Sequence, residues 1–368
     1  MNNLSETFLP ALRGLYSRHG YTQYKMSKFE EYDLYVRNKD FLISDSVITF
    51  TDTNGKLMAL KPDVTLSIIR NGRDLPGCVQ KVYYNENVYR VSGGTHSFRE
   101  IMQTGLECVG DLSNYEIAEV VLLAAQSLSA ISEDFILDIS HMGLISSVLE
   151  NCALSKKDKD KVVKCLQNKN AHELFSLCKV LELDEEKTNK LNSLVICAGA
   201  PETVYKNLLE ALTEENEKEA LNELFSLCKL LEGWGYEGKI NVDLSVGNDL
   251  KYYSGVVFKG YIEGIPAGIL SGGQYDKLLK KMGRKSKAIG FAVYTDLLSR
   301  LENNDTLPII DTVVLRSENT DICELVNFIK SIPEDEKLLV TASLPEGKRW
   351  KRLYKAENGV VNLIEENC

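Results

Sequence analysis

The chain has 368 residues, 44% of them hydrophobic and 26% charged, which is enough to bury a large core in two or three domains. A formal charge of −10 opposes polyanion binding in general, because neutralisation of phosphates by Lys and Arg supplies most non-specific affinity for nucleic acid. No run approaches the roughly 18 apolar residues of a membrane span, and the N-terminus MNNLSETFLPALRG lacks the layout of a signal peptide, so a cytosolic protein with no membrane partner is expected.

Leu4 to Gly20 reads as an amphipathic helix, with Phe8, Leu9, Leu12, Leu15 and Tyr16 at helical spacing and Gly20 as its stop. A mixed strand, Tyr21 to Phe29, follows. Val47 to Leu60 places Asn54-Gly55 between two alternating runs, the strongest short hairpin signal. Pro62 keeps Lys61 out of a helix, and Asp63 or Thr65 is placed to cap the helix predicted from Leu66 to Asn71.

Val79 to Arg90 and Gln103 to Val109 are β-like runs joined by a Gly-rich polar loop, a second antiparallel hairpin. Arg90 and Glu107 fall where one face of that sheet is buried. There a charge needs a partner or a ligand; the competing reading is an exposed salt bridge. A helix from Asn114 to Leu128 and a strand from Phe135 to Ser140 come next. Met142 to Trp234 then changes character: rich in Leu, Lys and Glu, it reads as an inserted domain of four to six helices. It contains a near-repeat, Glu173 to Lys179 and Glu223 to Lys229, read as two similar amphipathic helices because two copies fall short of a solenoid.

From Asn241 to Gly273 two β-like runs end in a Gly-Gly turn that opens a helix. Alternation over Leu250 to Phe258 places Tyr252 and Tyr253 on opposite sides of one strand, and Gly272-Gly273 lets a backbone approach closely. A pocket for a small polar molecule is one reading, and an ordinary hairpin with snorkelling tyrosines is the other. A helix from Tyr275 to Met282 and a strand running into a helix over Ala288 to Leu301 complete this part. After a linker at Glu302 to Thr306 comes a tail of about sixty residues, β-α-β in order: Ile309 to Leu315, Thr320 to Ile332, Lys337 to Ala342, then a basic-then-apolar piece. The nine cysteines form no CxxC pair and the four histidines are dispersed, so neither a disulfide framework nor a metal site is indicated.

Five of these pieces, in order, resemble the class II aminoacyl-tRNA synthetases and specifically the histidyl-tRNA synthetase family. LKPDVT resembles that family's LRPEGT, and VYR at Val88 to Arg90 with Gln103 to Glu107 resembles motif 2. NDLKYYSGVVF resembles the histidine-recognition motif RGLDYYNRTVF, SGGQYDKL resembles SGGRYDGL, and AIGFAVYTDLL resembles motif 3; the match runs from about Leu4 to Leu301. The resemblance implies an α+β fold: a class II synthetase-like antiparallel sheet flanked by helices, with a helical insertion and a small truncated α/β C-terminal domain. Its divisions would be 1–141 and 235–303 for the core, 142–234 for the insertion and 304–368 for the tail. It also implies a histidine-like pocket. Asp63 and Thr65 would take the α-amino group, Arg90 the carboxylate, Glu107 and Gln103 the amine or ring, and Tyr252, Tyr253, Gly272, Gly273 and Tyr275 the imidazole side.

Departures from the pattern shape the functional expectation. Asn248 stands where the family's recognition motif begins with arginine, Leu297 stands where motif 3 carries an arginine for ATP phosphates, Arg300 lies about a turn away, and Ser92 replaces an acidic residue. No Lys or Arg lies between Ser92 and Ser97, where synthetases reach toward tRNA. With the shortened tail, this resembles the regulatory subunits of ATP phosphoribosyltransferase, the first enzyme of histidine biosynthesis. The resemblance implies no catalytic residues, no cofactor and no tRNA. It implies a homodimer within a hetero-oligomer, a hetero-octamer, with a short-form catalytic subunit, and histidine as effector. Two rivals remain: an active histidyl-tRNA synthetase or adenylating paralogue, and an RNA-binding sensor of uncharged tRNA.

Overall fold

The alternating runs of the first third become the longest strands of a nine-stranded sheet in the computed structural model, which describes residues 4–38, 47–72, 77–92, 97–246, 252–298, 309–345 and 348–367. The chain divides into a larger unit, Thr7–Leu298, and a smaller one containing Ser299–Cys368. In chain order the elements begin with α1 (Leu4–Arg18), β1 (Thr22–Gln23), β2 (Phe29–Glu31), α2 (Tyr32–Arg37), β3 (Thr49–Thr51), β4 (Leu57–Leu60) and α3 (Thr65–Asn71). They continue through β5 (Val79–Val91), β6 (Phe98–Gly110), α4 (Asn114–Ile131) and β7 (Phe135–His141). Six helices follow, α5 (Met142–Asn151), α6 (Lys156–Gln167), α7 (Ala171–Val180), α8 (Glu185–Ile196), α9 (Pro201–Ala211) and α10 (Glu215–Leu231), with the two-residue β8 (Ala198–Gly199) before α9. A π-helical turn, Glu232–Tyr236, leads back to β9 (Ile240–Asp243), β10 (Val256–Ile262), β11 (Leu270–Gln274), α11 (Asp276–Lys281), β12 (Lys287–Tyr294) and α12 (Thr295–Leu298).

The large sheet runs β1-β5-β6-β12-β11-β10-β7-β9-β8, antiparallel from β5 to β7 and parallel at β1–β5 and β7–β9. Helix α4 covers one face. It starts on a capping box in which the Glu116 carboxylate accepts from the Ser113 N–H at 2.7 Å and the Ser113 hydroxyl accepts from the Tyr115 N–H. Its apolar side, Val120 to Ala125 and Leu128, is buried, and Gly260 on β10 makes room for Leu128. The Tyr16 hydroxyl of α1 meets Ser127 at 2.9 Å, and the Tyr16 ring packs edge-on to Phe291.

The Asn54-Gly55 hairpin forms as expected: β3 and β4 pair antiparallel, Asp52 accepts the N–H groups of Asn54 and Lys56, both at 2.8 Å, and Gly55 has φ of 83°. The near-repeat becomes α7 and α10, in which Leu174 and Leu224, and Cys178 and Cys228, occupy matching buried positions.

Three expectations are corrected. Tyr21 to Phe29 is not one strand, because only Thr22–Gln23 reaches an open edge, that of β5. The run from Leu250 does not extend to Phe258: β10 begins at Val256, Tyr252 lies in a turn, and 247–251 are outside the described residues. Gly272-Gly273 is no turn. Both glycines sit inside β11, paired with Phe291 and Gly290 of β12.

The smaller unit holds β13 (Ile309–Arg316), α13 (Ile322–Lys330), β14 (Leu338–Thr341), β15 (Arg349–Glu357) and β16 (Val360–Glu366) in a sheet ordered β14-β13-β15-β16. The β-α-β reading missed the last hairpin, although Asn358-Gly359, with φ of 52° and 77°, is the same signal that marks the first one.

Candidate functional site

The site is built on four strands whose registers align one face. Tyr84 of β5 pairs with Gly105 of β6, Glu107 of β6 pairs with Gly290 of β12, and Gly290 pairs with Gly273 of β11. Residues at every second position therefore point to the face opposite α4. There they border a cavity of about 490 Å³. All ten residues singled out in the sequence line it: Asp63, Thr65, Arg90, Gln103, Glu107, Tyr252, Tyr253, Gly272, Gly273 and Tyr275.

Glu107 is buried, 2% exposed. The Thr65 hydroxyl donates to one carboxylate oxygen at 2.7 Å and the Tyr275 hydroxyl to the other. Gly290 is required beneath it, since a Cβ there would stand 1.7 Å from the Glu107 Oε2. Burial pushes the Glu107 carboxyl up to about 8, against the pull of its two hydroxyl donors, and Asp63 nearby adds to the rise. Asp63 accepts the Leu66 N–H at 2.9 Å, capping α3, and burial raises its carboxyl too, offset by that bond and by Arg90.

Arg90 and Glu107 do not form the salt bridge that was the competing reading, since neither enters an ion pair among the described residues. Arg90 donates from Nε to the Pro62 carbonyl at 3.1 Å, while its Nη2 is buried with no hydrogen-bond partner among the described residues. Tyr252 and Tyr253 are not on opposite faces. Because the chain is in a turn there, both rings border the cavity, edge to face with centroids 4.7 Å apart. Tyr253 lies over Gly273, where a Cβ would come within 2.8 Å of its ring. Gly272 contributes main chain only, with Phe258 and Phe291 against its other side.

Sequence reasoning missed Tyr84, Ser271, Gly290 and Tyr294, which also line the cavity. The Tyr294 hydroxyl meets Ser271 at 2.8 Å, and the Tyr84 hydroxyl donates to the Phe291 carbonyl at 3.5 Å. Parity along each strand from Arg90 and Glu107 would have found Tyr84, and the register finds the rest. Asn248, Arg300 and the loop residues 93–96 lie outside the described residues; Leu297, on α12, is half-buried.

The family model of histidyl-tRNA synthetase matches residues 3–298. An ATP phosphoribosyltransferase regulatory subunit from Caldanaerobacter subterraneus subsp. tengcongensis is 33% identical over 289 residues, covering 76% of this chain and 74% of that protein. The chain belongs to the histidyl-tRNA synthetase-like ATP phosphoribosyltransferase regulatory subunit family. Its fold is that of this family's solved structures. An ATP phosphoribosyltransferase regulatory subunit/histidyl-tRNA synthetase from Bacillus halodurans C superposes with a TM-score of 0.78 at 24% identity, covering 96% of this chain and 94% of that one. An ATP phosphoribosyl transferase (HisG:HisZ) complex from Thermotoga maritima has a chain with a TM-score of 0.64 at 21% identity, covering 80% and 98%. Family membership thus accounts for the class II synthetase-like core, including the mixed sheet and its flanking helices.

Proposed function

We propose that this protein is the regulatory subunit of an ATP phosphoribosyltransferase, acting in the first step of histidine biosynthesis, and that its cavity holds free histidine without consuming it. The observation that carries this reading is the charge layout of the cavity: two carboxyls, the buried Glu107 and the half-buried Asp63, share it with Arg90, whose buried Nη2 has no partner among the described residues. Buried polar atoms left unpaired are costly, and a free amino acid supplies what they lack. Its carboxylate answers Arg90 and its ammonium answers Asp63 and the Thr65 oxygen. Glu107 and Gln103 face the amine or ring, and Tyr252, Tyr253, Tyr275 and the main chain of Gly272 and Gly273 border the imidazole. The volume, about 490 Å³, suits a ligand of that size.

Activation of the carboxylate by ATP needs positive charge aimed at the phosphates. Leu297 and Asn248 stand where the resemblance to working synthetases puts arginines. Recognition without activation suits a sensor whose ligand prefers one state of an assembly. The relative's name and the Thermotoga maritima complex support a separate short-form catalytic subunit as partner, in which catalysis would reside. The class II resemblance supports a homodimeric core, and the resemblance to the regulatory subunits supports a hetero-octamer around it; the acidic balance and the lack of Lys or Arg between Ser92 and Ser97 support no role for tRNA.

Calorimetric titration of the purified protein tests this. Saturable binding of L-histidine is expected, weakened at least about tenfold in Arg90→Ala and in Glu107→Ala, because each loses a charge-assisted contact. Co-expression with a short-form catalytic subunit should yield a co-purifying complex that is active only together. Histidine-dependent ATP–pyrophosphate exchange at a synthetase-like rate, or histidine binding unchanged in both variants, would overturn the reading.

A further inference from the structure

A second cavity, also about 490 Å³, lies on the other face of the sheet, between α4 and α10. Its floor is made by His141 at the end of β7, Val256 at the start of β10 and Gln274 at the end of β11, whose neighbours Gly273 and Tyr275 face the first cavity. Two buried side chains present donors to it. The Gln274 oxygen accepts the Val256 N–H at 2.9 Å, and a backbone N–H can face only the oxygen, so the NH₂ end is turned the other way. That nitrogen has no hydrogen-bond partner among the described residues, although Gln274 is 8% exposed.

His141, 6% exposed, accepts the Leu144 N–H on Nδ1 at 3.1 Å, which places the proton of its neutral ring on Nε2. Burial keeps this ring neutral, with its titration lowered to about 4. The Nε2 donor stands 3.5 Å from the Glu223 Oε2, beyond a good hydrogen bond, so a donor and an acceptor lie side by side with neither satisfied by the other. Ile117 and Leu227 supply apolar walls on the two helices. A planar ring bearing a carbonyl next to an N–H matches this edge: the carbonyl accepts from His141 and Gln274 and the N–H donates to Glu223. Neutral donors favour a neutral acceptor, and Glu219 and Glu223 at the rim repel phosphate.

We propose that this cavity is a second ligand site, taking a small neutral heterocycle with a lactam edge, of the nucleobase class and without phosphate. Uracil and 1,3-dimethyluracil, which has the same carbonyls but no N–H, are titrated by calorimetry into the full-length protein, into Ser226→Trp, an exposed α10 position that would fill the cavity, and into Arg90→Ala. The expected result is saturable binding of uracil, weakened at least about tenfold by the two methyl groups and by Ser226→Trp, and unchanged in Arg90→Ala. No saturable binding of uracil, equal binding of the dimethyl compound, or loss of binding in Arg90→Ala would overturn the proposal; the last would locate uracil in the first cavity.

Discussion

Burial raises the Glu107 carboxyl to about 8 even though Thr65 and Tyr275 donate to both its oxygens. The sign of its effect on stability follows from proton counting. Between the ordinary carboxyl value of 4.5 and about 8, the folded protein keeps a proton that the unfolded chain has released. Stability is therefore highest below that window and falls as pH rises through it, by up to about 1.4 kcal/mol per pH unit. Urea denaturation of the ligand-free protein at pH 5.5 and 8.5 should show this loss, and Glu107→Gln should flatten it. A parent and variant with the same pH slope would assign the proton elsewhere. A cation arriving in the cavity has the opposite preference and favours the ionised carboxyl. If the cavity takes the ammonium group of the proposed ligand, its binding and release of the Glu107 proton would be linked.

Single contacts at this scale depend on how whole elements meet. Glu107 fits because β12 presents a glycine at the paired position; in Gly290→Ala the new methyl would also press on the Leu106 carbonyl at 2.6 Å. The variant should lose about 1–3 kcal/mol of stability in urea denaturation together with histidine binding, and a fully stable, binding-competent Gly290→Ala would show the strands free to separate. In the helical insertion, α10 is anchored through Glu217, which is wholly buried. Its carboxylate accepts from the N–H groups of Thr213 and Glu214, from the Asn151 amide at 2.9 Å and from Lys190 of α8 at 3.3 Å. Glu217→Ala leaves the buried Lys190 with only its ion pair to the exposed Glu186 at 3.5 Å, so a cost of about 3–5 kcal/mol is expected. A loss within about 0.5 kcal/mol, the range of ordinary surface changes, would mean that Lys190 swings out to water.

On the scale of the molecule, every residue lining the first cavity falls between Asp63 and Tyr294, within the larger unit. A chain ending at Leu298 should keep its thermal stabilisation by histidine, and a truncated protein that folds but no longer responds would place part of the site beyond residue 298. Much of this layout is legible in the residues themselves. Periodicity marks the long strands and the helices of the insertion, Asn54-Gly55 and Asn358-Gly359 mark their hairpins, and the ordered motifs identify the ten pocket residues. These are local properties, set by backbone sterics and by alternation along a few residues. Register and convergence are not local. That Tyr84 and Tyr294 join the site, that Tyr252 and Tyr253 face the same space, that Glu107 is buried with hydroxyl partners instead of paired with Arg90, and that Gln274 points into a second cavity all depend on which strands lie side by side. Pairing of strands far apart in the chain is decided by the packing of the whole core, which no short window of sequence contains.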